Sequence, residues 1–119
     1  MAHEGTHEPY EKLTTRTRDM HRAITSLMEE LEAVDWYQQR VDVCEDAELR
    51  KILEHNRDEE KEHAAMVLEW IRRRDLVFAK HLKTYLNTRG DITAAEEAER
   101  TGANENPRQM AAAARGELA

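Results

Sequence analysis

Glycine, proline, cysteine and aromatic residues are all scarce in this chain. Of its 119 residues, 4 are glycine and 2 are proline, too few for the turns of an all-β fold. A single cysteine, Cys44, rules out an internal disulfide framework and a multi-cysteine zinc site. It reads as an inert small apolar residue. Aromatic residues make up 5% and apolar residues 39%, and sixteen of the apolar ones are alanine. With so few large core side chains, burial against a partner chain is expected. The longest apolar runs are five residues, as in Ala64 to Leu68, far short of a membrane span. The first residues do not read as a signal peptide. Lys plus Arg is 18 and Asp plus Glu is 25, a net charge of −7. An acidic chain is not expected to bind nucleic acid or an anionic membrane surface. A cytosolic compartment fits this composition.

What the chain does have is long helical periodicity. Residues 1–12 are polar, contain Gly5 and Pro9, and read as an N-terminal lead-in. Leu13 to Cys44 contains neither glycine nor proline. Met20, Ile24, Leu27, Leu31, Val34, Gln38 and Val41 recur at helical spacing, and a second stripe runs Ala23, Leu27, Glu30, Val34, Tyr37 and Val41. Asp46 is a good N-cap for a second helix reaching about Arg74, with Leu49, Leu53, Asn56, Glu60, His63, Val67 and Trp70 along one face. Arg72, Arg73 and Arg74 suit the negative end of that helix dipole and are not read as a nucleic-acid patch. Leu76 to Leu86 predicts a third helix, or a bent continuation of the second, broken by Gly90. Thr93-Ala94-Ala95-Glu96 fits a capping box for a short helix ending near Gly102. From Gly102 on, through Asn104, Asn106, Pro107 and Met110, the chain reads as a mobile tail. The expected organisation is a lead-in over 1–12, an antiparallel helical hairpin over 13–86, and a short helix and tail over 87–119. Such hairpins commonly pair into four-helix bundles, so at least a dimer is expected.

The hairpin seam is interrupted by polar residues. Asn56, Glu60 and His63 occupy three consecutive steps of a stripe that should be apolar, and Glu30 is the exception on the first helix. A buried carboxylate neutralises, pairs or binds metal. With the turn near Glu45 and Asp46, both sets lie about 15 residues away, roughly 23 Å up the hairpin at about 1.5 Å per residue. Glu60-Lys61-Glu62-His63 is a Glu-x-x-His pair on one helix face. A ferritin-like di-iron centre takes one Glu from each of two helices and a Glu-x-x-His from each of the other two, so this chain supplies half a set and a two-fold dimer would complete it. Carboxylate oxygens and imidazole nitrogen are both suitable iron ligands. Glu-x-x-His alone is a weak signal, occurring again at Glu4 and His7, and the run Arg57-Asp58-Glu59-Glu60-Lys61-Glu62 is also what a solvated acidic face looks like. Two further readings stay open on spacing alone. One is a helical oligomer that sequesters metal without turnover. The other is a structural interaction protein whose polar seam sets register.

Met28-Glu29-Glu30-Leu31-Glu32-Ala33-Val34-Asp35-Trp36-Tyr37 and His55-Asn56-Arg57-Asp58-Glu59-Glu60-Lys61-Glu62-His63-Ala64 closely resemble the encapsulated ferritins. Leu68-Glu69-Trp70-Ile71-Arg72-Arg73 and Thr84-Tyr85-Leu86 extend the match, which covers roughly residues 7 to 98. The resemblance implies an all-α protomer, a two-helix hairpin with short C-terminal helices, that dimerises into a ferritin-like bundle and assembles as a ring of five dimers. It implies a ferroxidase that oxidises Fe(II) at a di-iron centre between two protomers and works inside an encapsulin nanocompartment in a bacterial or archaeal cytoplasm. The implied ligands are Glu30, Glu60 and His63 from each of two chains. Tyr37 is the candidate hydrogen-bond donor to a ligand carboxylate. Glu29 and Glu32, near Trp36, match a weaker metal site on the approach route. Ca, Zn and Mn are alternative occupants of these sites. On spacing alone Glu29 and Glu32 read as surface charges and Trp36 and Tyr37 as packing residues. His3, His7, His21, His55 and His81 receive no role. The resemblance departs at residues 111–119, which lack the Gly-Leu-Ile-Gly-type peptide that docks the family on its shell.

Overall fold

Helix boundaries in this chain fall where side chains supply the missing hydrogen bonds. The computed structural model describes residues 5–102, and among these the regular structure is helical, with no strand. The helices are α1 (Thr15–Val43), α2 (Ala47–Arg74), α3 (Leu76–Tyr85) and α4 (Ile92–Thr101), preceded by a 3-10 turn at Tyr10–Lys12. The expected tail beyond Gly102 lies outside the described residues. No helix among those described is long and apolar enough to cross a membrane.

The chain divides into two compact units, one ending at Ile71 and one beginning at Arg72. In the first, the Thr14 hydroxyl caps α1 by accepting from the Thr17 amide at 3.1 Å. Cys44 ends α1 with extended backbone, and the Asp46 carboxylate accepts from the Leu49 amide at 2.8 Å to open α2, as expected. Arg50 donates from Nε and Nη2 to the Cys44 carbonyl, tying the turn to the helix that follows it. The helices then run antiparallel. Gln38 Oε1 accepts from Arg57 Nη1 at 2.8 Å near the turn, and farther out Glu30 meets His63.

Of the two stripes read along the first helix, the structure selects one. Ala23, Leu27, Glu30, Val34, Tyr37 and Val41 are partly buried, whereas Ile24 and Leu31 are 42% and 54% exposed. On α2, Leu53, Asn56, Glu60, His63, Val67 and Trp70 are partly buried, Ala64 is buried and Leu49 is exposed. The lead-in is tied to α1. Arg18 lies 4.0 Å from the centre of the Tyr10 ring and donates to its carbonyl, and Arg22 donates to its hydroxyl at 3.2 Å.

In the second unit, extended backbone at Asp75 separates α3 from α2, and the Asp75 carboxylate accepts from the Phe78 amide at 2.9 Å. Leu76 to Leu86 is thus a separate helix. It ends at Tyr85, before Gly90, because Leu86 is extended and Asn87 turns into the left-handed region at φ 62°. The capping box at Thr93 is a second correction. Asp91 is the cap, accepting from the amide of Thr93 at 2.9 Å and from its hydroxyl at 2.7 Å, so α4 starts at Ile92. Gly102 closes α4 in the left-handed conformation at φ 79°, which glycine adopts without steric cost. Helices α3 and α4 pack together, and the buried Thr84 turns its hydroxyl back on the Lys80 carbonyl at 3.1 Å.

Candidate metal centre

Glu30 lies on the seam face of α1, and Glu60 and His63, three residues apart, share the seam face of α2. The antiparallel register brings them to one level. His63 Nδ1 is 3.6 Å from Glu30 Oε2 and 3.6 Å from Glu60 Oε2. One ligand atom from each of the three residues lies within 4.8 Å of the others. The cluster is partly open to solvent: the Glu30 and Glu60 side chains are 26% and 24% exposed and that of His63 is 43% exposed.

The electrostatics of this cluster are unfavourable without a cation. Glu30 Oε2 is buried and has no hydrogen-bond partner. Two ionised carboxylates have no proton to place between them, so each repels the other and neither donates. The hydrogen bond that a protonated Glu30 can share with the Glu60 carboxyl, and then burial, raise Glu30 above the usual carboxylate value, while His63 pulls it down. Such an orphaned oxygen between a second carboxylate and an imidazole is a donor atom that a cation would satisfy. Hard oxygen donors with one imidazole suit iron, manganese or zinc, so the residues fit a metal.

The other candidates fall outside this cluster. Tyr37 is on the same stripe, but its ring lies 5.3 Å from the Arg40 guanidinium and its hydroxyl has no hydrogen bond to the cluster among the described residues. Glu29 and Glu32 are partly buried on either side of the seam position, and Trp36 is 50% exposed. His55, given no role from sequence, places Nε2 at 3.5 Å from Glu59 Oε1. Glu59 is the residue that sequence reasoning missed. Its second oxygen is 4.0 Å from His63 Nε2. The signal was its four-residue spacing from both histidines, hidden inside the charge run.

An all-helical hairpin with a Glu on one helix and a Glu-x-x-His on the other has the residue pattern of one half of a ferritin-like carboxylate site. The EncFtn-like family model matches residues 5–89, and the chain belongs to that family. It is 65% identical over 98 residues to the Encapsulated ferritin-like protein of Rhodospirillum rubrum, covering 82% of this chain and 70% of that one. It is 41% identical over 54 residues to the Encapsulin nanocompartment cargo protein EncC of Myxococcus xanthus, covering 45% and 42%. A crystal structure of protein ne0167 from Nitrosomonas europaea aligns with TM-score 0.73 at 65% identity, covering 75% of this chain and 98% of that one.

Proposed function

We propose that this protein is a ferroxidase, oxidising Fe(II) to Fe(III) at a di-iron centre built from Glu30, Glu60 and His63 of two protomers. The carrying observation is the buried, orphaned Glu30 Oε2 beside Glu60 and His63. One chain offers half the ligand set, and a two-fold dimer doubles it. The same dimer accounts for Ile24, Met28 and Leu31, apolar side chains left 42%, 38% and 54% exposed by the single chain.

Iron is the substrate here. Glu30 and Glu60 neutralise the charge of two cations and hold them close by bridging or chelating. His63 supplies the terminal nitrogen. Two Fe(II) ions held together deliver electrons to one dioxygen in concert. Four are oxidised per dioxygen reduced to water, or two when the product is hydrogen peroxide. In the dimer the Tyr37 hydroxyl donates to a ligand carboxylate. Glu29 and Glu32, beside Trp36, form a weaker site on the approach route. Ca, Zn and Mn compete at both sites. The assembly is a ring of five dimers, as the family resemblance implies. It works inside an encapsulin nanocompartment, a location supported by the names of the relatives.

The test loads the protein anaerobically with Fe(II), then follows dioxygen consumption and mass in parallel. Rapid uptake and an iron-dependent shift to a dimer or larger ring are expected. Glu30→Ala and His63→Ala should abolish fast oxidation and leave helicity intact. A metal-bound oligomer without uptake would make this a sequestering protein. Neither uptake nor a mass change would make the polar seam a register device.

A further inference from the structure

The two nitrogens of His63 face different partners. Nδ1 lies 3.6 Å from Glu30 Oε2 and 3.6 Å from Glu60 Oε2, while Nε2 turns toward Glu59 Oε2 at 4.0 Å. The other Glu59 oxygen lies 3.5 Å from His55 Nε2. His55, Glu59 and His63 therefore form a ladder along α2 with four-residue rungs, which the helix repeat stacks on one side. Glu59 stands between two imidazoles, outside the three-residue cluster.

We propose that Glu59 is a positioning residue that selects the tautomer and ring orientation of His63 for metal binding at Nδ1. The inference rests on the metal-centre reading above. A neutral imidazole carries one N–H and one ring lone pair, and coordination at Nδ1 requires the lone pair there. The proton must then sit on Nε2, and Glu59 is the acceptor on that side. At 4.0 Å the Nε2 contact is longer than a hydrogen bond, as are the two Nδ1 contacts at 3.6 Å. Once the Glu30 and Glu60 oxygens are engaged by a cation, the N–H has one anionic acceptor left. Glu59 closes on it by a small side-chain rotation, steadied from behind by His55. A ligating histidine commonly donates its second N–H to a carboxylate, and losing that partner lowers metal affinity about 10- to 100-fold. An ordinary exposed ion pair would contribute little to stability and nothing to the choice of tautomer.

The test uses Zn(II), which is diamagnetic and does not turn over, with the full chain. Calorimetry gives affinity, and long-range proton–nitrogen NMR reads the His63 tautomer. The wild type should show Nδ1 metallated and a slowly exchanging Nε2–H. Glu59→Ala should weaken Zn(II) about 10- to 100-fold and speed that exchange, with unchanged helicity and metal-free melting temperature. Glu59→Gln, which keeps an acceptor oxygen, should recover most of the affinity. Wild-type affinity in Glu59→Ala, or a His63 metallated through Nε2, overturns the inference. Glu30→Ala and His63→Ala separate the two failures. If they lose Zn(II) while Glu59→Ala keeps it, only the positioning role fails. If they also bind like the wild type, the metal-centre reading fails with it.

Discussion

Glu30 is poorly accommodated in the metal-free fold, and this makes it the most informative single residue. The carboxyl of Glu60, followed by burial, raises it above 4.5. The folded chain therefore binds this proton more tightly than the unfolded chain does. The sign follows: Glu30 favours folding most below its ordinary value, and that contribution is lost as pH rises through the raised folded value. Glu30→Gln removes the ionisation. Its metal-free melting temperature at pH 7 should exceed that of the wild type, and the fall in stability just above the ordinary carboxylate range should flatten. Stabilisation by added Zn(II) should vanish at the same time. Thermal scans at several pH values, with and without Zn(II), check all three, and a Gln variant less stable than the wild type at pH 7 would count against the argument. Glu30, Glu60 and His63 stood out in the sequence because polar residues interrupted apolar stripes. Glu59 did not, because its spacing is the same whether an acidic residue faces a ligand or solvent.

The caps decide the helices as much as the apolar stripes do. Thr14→Ala removes the acceptor for the Thr17 amide and should cost about 1 kcal/mol, read by chemical denaturation. Asp91 is held below 3.8, chiefly by its hydrogen bond from the Thr93 hydroxyl. Its contribution is therefore present above that ordinary value and is lost as pH falls through the lower folded one. The helicity of α4 should drop in that acid window, and Asp91→Ala should remove that step, as circular dichroism would show. The expected box at Thr93 failed for a reason visible in the residues. Aspartate two positions earlier is an equally good cap, and it binds Thr93 itself, so local chemistry offered two starts. The end of α3 falls one residue short of the expected Leu86: Leu86 is the extended cap, and Asn87, which tolerates positive φ, turns the chain ahead of Gly90.

The exposed apolar side chains carry the argument at the level of the whole molecule. In the first unit Ile71 is the only side chain of its size buried to 1% among the described residues, while Ile24, Met28 and Leu31 line the outward stripe of α1. A chain with so small a core gains stability by association. Leu31→Asp places a charge in the proposed dimer contact. It should shift the native mass toward the 13.9 kDa monomer and, because the ligand set is then halved, lower Zn(II) affinity without touching a ligand. Full-sized oligomers with wild-type metal affinity would remove Leu31 from the interface. Two stripes on one helix could each face the second helix equally well by periodicity. That ambiguity was not resolvable from sequence, because period alone marks a face as apolar and does not name its partner.

Local physics read from the residues determined that this chain is helical, that it turns at Cys44–Asp46, and that Glu30, Glu60 and His63 stand at equal height on either side of that turn. Periodicity and rise per residue are properties of the backbone and need no partner. Tertiary structure alone decided which stripe of α1 faces α2, that Glu30 Oε2 is stripped of hydrogen bonds, and that the His63 ring divides its nitrogens between the cluster and Glu59. Those outcomes depend on helix rotation about its own axis and on side-chain rotamers, which are set only when two surfaces meet.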